Sequence, residues 1–217
     1  MMQVVSILHT ISIWSILLPL LIGIPSYRKL NVESRIIFFV VVIGAIPQLL
    51  RPFINDTALL WILYNWYTPI EFALYCSMFI IKTTSRFNRI FFYFSAFVFA
   101  FVSGWFIYSH NLSRGLLHNW VVVNNTIQIC WVCVFLMEYY RHDEAEIETW
   151  HPFFWFLSGI AVYATCTIVV YGLWDNIRAS SSGPTQLLNG IHHFFNIMLY
   201  IFFSIGLLKN RRPNKTD

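Results

Sequence analysis

The chain holds 217 residues, of which 58% are hydrophobic, 19% aromatic and only 11% charged, with a formal net charge of +4. Soluble domains carry about 25% charged residues, so this chain lacks the polar surface of a water-soluble fold, and its expected solvent is the lipid bilayer. No nucleic-acid partner is expected, and the fold class predicted is an all-α, polytopic membrane protein.

A hydrocarbon core about 30 Å thick takes roughly 20 mostly apolar residues per spanning helix. Seven stretches qualify in chain order, at 3–24, 35–53, 57–81, 88–109, 115–139, 152–174 and 186–208. The connections carry the breakers, with Pro25-Ser26 after the first span, Pro52 through Asp56 after the second, and Ser180-Ser181-Ser182-Gly183-Pro184 before the last. The first stretch has no basic residue ahead of its apolar run and is read as a retained helix rather than a cleaved signal. Residues 1–208 are therefore expected to form one seven-transmembrane-helix bundle, and 209–217 a short basic tail.

The distribution of Lys and Arg predicts orientation. Arg28, Lys29 and Arg35 follow the first span, Lys82, Arg86 and Arg89 the third, Arg141 the fifth, and Lys209, Arg211, Arg212 and Lys215 the last, against Arg51, Arg114 and Arg178 on the other side. This places the N-terminus outside and the C-terminus in the cytoplasm, in a bacterial inner membrane. Trp14, Trp61, Trp66, Trp105, Trp120, Trp150, Trp155 and Trp174 mostly fall near span ends, where interfacial belts form. The cysteines, Cys76, Cys130, Cys133 and Cys166, lie in apolar stretches and are read as small hydrophobes with no disulfide.

Polar residues inside the spans are the functional candidates, because a carboxylate near mid-membrane costs roughly 2.5 kcal/mol or more on insertion scales. Glu71 is the one such carboxylate, and Tyr64, Thr68, Glu71 and Tyr75 share a face of the third span by their spacing. Pro69 on the same helix frees a backbone carbonyl one turn earlier. In the fifth span, Asn124, Asn125 and Gln128 cluster near the centre, with His118 and Asn119 nearer the outer end. The last span carries Asn189, His193, Asn196 and Tyr200 on one face, with His192 beside it. These groups suit a ligand-binding or proton site. Packing by interhelical hydrogen bonds is the competing reading.

No cofactor or metal is expected. His142 and Glu146 in the acidic 142–148 stretch are four residues apart, but a charge run at a helix end is ordinarily solvated. A haem held by His192 or His193 would need a partner such as His9 or His118 on another helix. Glycine-rich phosphate loops, G-x-S-x-G and H-E-x-x-H motifs are absent.

Three comparisons with families bear on function. Pro47-Gln48 resembles the proline-glutamine motif of the seven-helix PQ-loop and sugar-transporter families, although the fifth span holds no second copy. Retinal proteins need a lysine in the last helix, and 186–208 has none. The stretches Leu63-Tyr64-Asn65-Trp66-Tyr67-Thr68-Pro69-Ile70-Glu71-Phe72, Val123-Asn124-Asn125-Thr126 and Pro152-Phe153-Phe154-Trp155-Phe156, with Tyr163, resemble uncharacterised small bacterial seven-helix multi-pass membrane proteins, some of which precede sensor kinases. That resemblance implies a sensory or accessory module with a small-molecule ligand and a cytoplasmic or membrane protein partner. A small proton-coupled transporter using Glu71 is the alternative, and a membrane-embedded enzyme a third reading.

Overall fold

The structure, a computed structural model, describes residues 2–110, 112–113, 115–142, 151–178 and 182–210. These residues form helices and connecting turns, with no strand among them. The order is α1 (Met2–Ser15), α2 (Leu17–Ser26), α3 (Val32–Leu50), α4 (Thr57–Lys82), α5 (Arg86–Ser109), α6 (His118–His142), α7 (Pro152–Arg178) and α8 (Ser182–Lys209). A short 3-10 turn, Tyr27–Lys29, follows α2. The acidic stretch Asp143, Glu144, Glu146 and Glu148, and the basic residues Arg114, Arg211, Arg212 and Lys215, lie outside the described residues.

The predicted first span is one rod in two pieces, since α1 ends at Ser15 and α2 begins at Leu17. Pro19 has no N–H, so the carbonyl of Ser15 loses its intrahelical donor and the ladder breaks just above the proline. With α1 and α2 counted as one rod the described residues make seven, and six of these are long and apolar enough to cross a membrane. The exception is α4, which has the expected position and a length of 26 residues but not the required apolarity. Its shortfall comes from residues facing inward. Asn65, Thr68, Glu71 and Tyr75 are buried, whereas Leu59, Trp66, Ile70 and Ile81 form its exposed stripe.

Caps mark the starts of the helices. Asn31 Oδ1 accepts from the Ser34 N–H at 2.9 Å, Asp56 Oδ1 from Ala58 at 2.8 Å, and Ser85 Oγ from Asn88 at 3.4 Å, each satisfying an N–H that the first turn leaves free. Pro152 opens α7, where its missing N–H costs nothing.

The rods form a closed ring in which neighbours in the chain pack together and α8 returns to α1 and α2. The end carrying Leu50–Thr57 and the N-terminus is called here the N-terminal end, and the other the basic end. Toward the basic end the interior is solid. Phe72 stacks on Phe99 at 3.8 Å and meets Trp131 at 4.5 Å, and Phe79 packs on Phe92 at 5.5 Å. Only one stripe of α5 is buried, Phe92, Ser95, Phe99 and Ser103. Its two serines accept the indole N–H groups of Trp131 at 2.7 Å and Trp120 at 3.1 Å. Trp120, expected at the interface with water, is instead fully buried as part of this seam. The remaining faces of α5 expose Phe87, Phe94, Phe97, Phe101 and Trp105, as expected of a rod at the rim against lipid.

At the basic end Glu138 of α6 closes the turn between α4 and α5. Its carboxylate accepts from Thr84 N, Thr84 Oγ1 and Ser85 N at 2.7 Å each and from Asn88 Nδ2 at 2.6 Å, and it also takes the Thr83 hydroxyl. Lys82 and Glu33 form an ion pair at 2.7 Å beside it, tying α4 to α3. Charge-assisted bonds of this kind contribute about 1.5–3 kcal/mol each, and donors left without an acceptor cost about 1–3 kcal/mol.

Two outcomes follow for stability in mild detergent. A Cβ at Gly206 of α8 would come within 2.3 Å of the Phe156 ring of α7, whereas one at Gly172 of α7 would meet nothing within 4 Å. Gly206→Ala is expected to lower the melting temperature through an overpacking cost of about 1–3 kcal/mol, and Gly172→Ala to leave it within error. Glu138→Ala, measured the same way, is expected to cost more than Gly206→Ala, because it removes the shared acceptor of five donors at once.

Candidate functional site

The half of the bundle nearer the N-terminal end is hollow. A cavity of about 680 Å³ lies between α1, α3, α4, α6, α7 and α8, and α5 contributes nothing to its wall. Its volume falls in the range of about 300–1,000 Å³ usual for small-molecule sites. The exposed residues Arg51 and Thr57 stand at its mouth, and Glu71 and Tyr200 lie deepest. Below them begins the aromatic block of Phe72, Phe99 and Trp131, so the cavity ends midway through the bundle.

The three polar stripes predicted from sequence converge here. Tyr64, Thr68 and Glu71 line the cavity from α4, Asn124 and Asn125 from α6, and His193, Asn196 and Tyr200 from α8. Two expected residues stand behind the wall. Tyr75 is buried one turn below Glu71 and interacts with its carboxylate, and Gln128 donates from Nε2 to Asn124 Oδ1 at 3.1 Å. Both therefore position a lining residue rather than face the cavity. His192 and His193, adjacent in sequence, both reach the cavity because its mouth is wide enough to take two faces of α8.

Glu71 forms the floor with its neighbours. The Tyr67 hydroxyl donates to Glu71 Oε1 at 2.9 Å, and Asn124 interacts with the same carboxylate. Gly44 of α3 makes this arrangement possible, because a Cβ there would lie 3.1 Å from the Tyr67 oxygen. Beside the floor, Gln48 of α3 spans three rods. Its Nε2 donates to the carbonyls of Ser12 at 2.6 Å and Ile13 at 3.2 Å, and its Oε1 accepts from the Tyr200 hydroxyl at 2.8 Å. These carbonyls lie just before the α1/α2 break, where the helical ladder supplies fewer donors. Asn196 Nδ2 adds a bond to Ser12 Oγ at 2.9 Å. The proline-glutamine pair thus serves here as a tie between helices.

The upper wall is rich in nitrogen bases. His9 and His193 meet edge to face with ring centroids 4.8 Å apart, His192 and His193 are 5.9 Å apart, and His118 stacks on Tyr171 at 5.1 Å. Among the described residues no group of three His, Cys, Asp or Glu side chains is placed to hold a metal ion. The rings of His9 and His193 approach too closely for a haem to lie between them. All four cysteines are free, and Cys130 and Cys133 are exposed on α6.

Several site residues escape sequence reasoning. Gln48 was read only as half of a motif, Arg51 only as a topology marker, and Tyr67 sits off the Tyr64 to Tyr75 stripe. Asn65 lies behind the wall and pins the loop before α6, donating to the carbonyls of Leu112 at 3.0 Å and Gly115 at 2.9 Å and accepting from Leu117 N at 3.3 Å. A lone amide in an otherwise apolar helix was the available signal for Gln48 and Asn65.

Gln48→Leu is expected to break the links among α1, α3 and α8 while keeping the helices formed. Hydrogen exchange should rise in α1 around Ser12 and Ile13, with helical content by circular dichroism unchanged. No protein-family model, no curated protein and no solved structure matches this chain.

Proposed function

We propose that this chain is a ligand-binding membrane module, sensory or accessory in role, whose ligand occupies the cavity above Glu71. The observation that carries the reading is the convergence of polar stripes from α4, α6 and α8 on one cavity of about 680 Å³ that is open at one end and closed by Glu71 and an aromatic block at the other. Interhelical glue alone needs no such volume, since amides that only hold helices together pack in direct contact, as Gln128 and Asn124 do.

In this reading the chain sits in a bacterial inner membrane with its basic end in the cytoplasm and the cavity mouth outside, as the distribution of Lys and Arg supports. Ligand binding shifts the balance between helix arrangements by its differential contacts with them. Gln48 is placed to feel the shift, because it touches α1 and α8 next to the cavity. A protein partner at the basic end would read the change.

A proton-coupled transporter is the second reading, supported by a lone carboxylate at the cavity floor and by Pro47 and Pro69 in two lining helices. The solid aromatic half below the floor favours binding without passage. The test is native mass spectrometry of the protein released gently from membranes, paired with flux measurements in liposomes. A small molecule retained by the wild type and lost from Glu71→Gln and His193→Ala is expected, with no gradient-driven flux of that compound. Flux abolished by Glu71→Gln would establish the transporter instead, and a protein carrying no molecule in any preparation would return the polar groups to packing.

A further inference from the structure

We infer that the ligand of this cavity is an organic anion with a flat, apolar body, its carboxylate or equivalent group held at the mouth by Arg51 and the histidines around it. The inference rests on the binding reading above and specifies the chemistry of the occupant.

Charge is distributed unevenly along the cavity. Among the described side chains two formally charged ones line it, Arg51 at the mouth and Glu71 at the floor. Tyr64 faces the Arg51 guanidinium, and Glu71 is seven residues further along α4, which at a rise of 1.5 Å per residue puts the carboxylate about 10 Å deeper. Arg51 has no carboxylate partner among the described residues, whose one ion pair is Lys82 with Glu33. It lies within electrostatic reach of His9, His193 and Tyr171. Among the described side chains the upper cavity thus combines a permanent cation with histidines and holds no acid. A low-dielectric wall strengthens the field of such a charge relative to water.

Unused hydrogen-bonding capacity points the same way. His9 Nε2 and His192 Nδ1 are buried without a hydrogen-bond partner, and both residues line the cavity. Buried polar atoms are ordinarily satisfied; both nitrogens are covered, so an anion gains them as partners when the rings turn toward the cavity. Each imidazole nitrogen can donate to an anionic oxygen. The Arg51 guanidinium offers a planar fork that suits a carboxylate.

The body of the ligand is set by the walls. Trp61, Tyr64, Tyr171 and Trp174 surround the upper cavity, and aromatic faces recognise flat apolar groups by stacking. An inorganic anion would satisfy Arg51 but leave these walls and most of the volume unused. A cation would enter against the field of Arg51. The floor, with its Glu71 and Tyr67 pair, then takes a hydrogen-bonding group at the far end of a longer ligand.

The experiment uses three probes of one shape, 2-naphthylacetate, its neutral amide and the matching 2-naphthylethylamine, titrated calorimetrically into the protein in nanodiscs. The acid is expected to bind at least about tenfold more tightly than the amide, and its affinity to fall as salt is raised. Arg51→Gln should erase the difference between acid and amide. Arg51→Lys should keep most of it, and Arg86→Gln at the opposite end should change nothing. Equal binding of acid and amide, tighter binding of the amine, or an acid preference that survives Arg51→Gln would overturn the assignment and leave the cavity as a site for a neutral or cationic ligand. Absence of binding by all three probes would also overturn it, and the molecule retained in native mass spectrometry then judges the cavity separately.

Discussion

The side chain of Gln48 holds together the parts of the molecule that the chain itself keeps farthest apart. It bonds to main-chain carbonyls in α1 and to the Tyr200 hydroxyl in α8. In lipid, main-chain carbonyls beside a helix break have no water to turn to. Gln48 donates to those of Ser12 and Ile13 at the level where the cavity meets its floor. The ring of helices closes there because carbonyls of the first rod and an amide of the second are complementary. The cavity exists above this point because the polar residues, unable to face lipid, must face one another, and the bundle is too wide at that end for them to meet.

Much of this was legible in the sequence. The number and placement of the rods follow from hydropathy, because twenty apolar residues in a row have few other uses. The faces of α4 and α8 follow from helical spacing, and their convergence is what an expensive buried carboxylate demands. What the sequence hid was of two kinds, contacts across the bundle and the break in the first rod. Contacts between distant segments, such as Gln48 with Ser12 or Asn65 with the loop before α6, have no periodicity to reveal them, since they depend on where two rods cross. The first rod was read as continuous because a proline near mid-span breaks a helix or only bends it, and the choice depends on the donors nearby.

The two ends of the bundle differ in kind. The basic half is packed with stacked aromatic rings, with the Trp131 indole N–H matched to Ser95 on α5. The other half retains unsatisfied nitrogens, exposed polar groups and free volume. Close packing and free volume are thus separated along the bundle, with Glu71 and its tyrosines at the boundary. The helix α4 links the two halves, since it carries both Glu71 and Phe72 and Phe79 of the aromatic block.

The Glu138 clasp carries a consequence for how the protein is made. The turn between α4 and α5 presents hydroxyls and N–H groups whose acceptor lies about fifty residues later in the chain, in α6. During synthesis that turn emerges with its polar groups in water, and the carboxylate that will bind them enters only with the fifth rod. Insertion of α6 and closure of the turn are therefore one event, and the α4–α5 hairpin waits in an unlatched state until its downstream neighbour arrives.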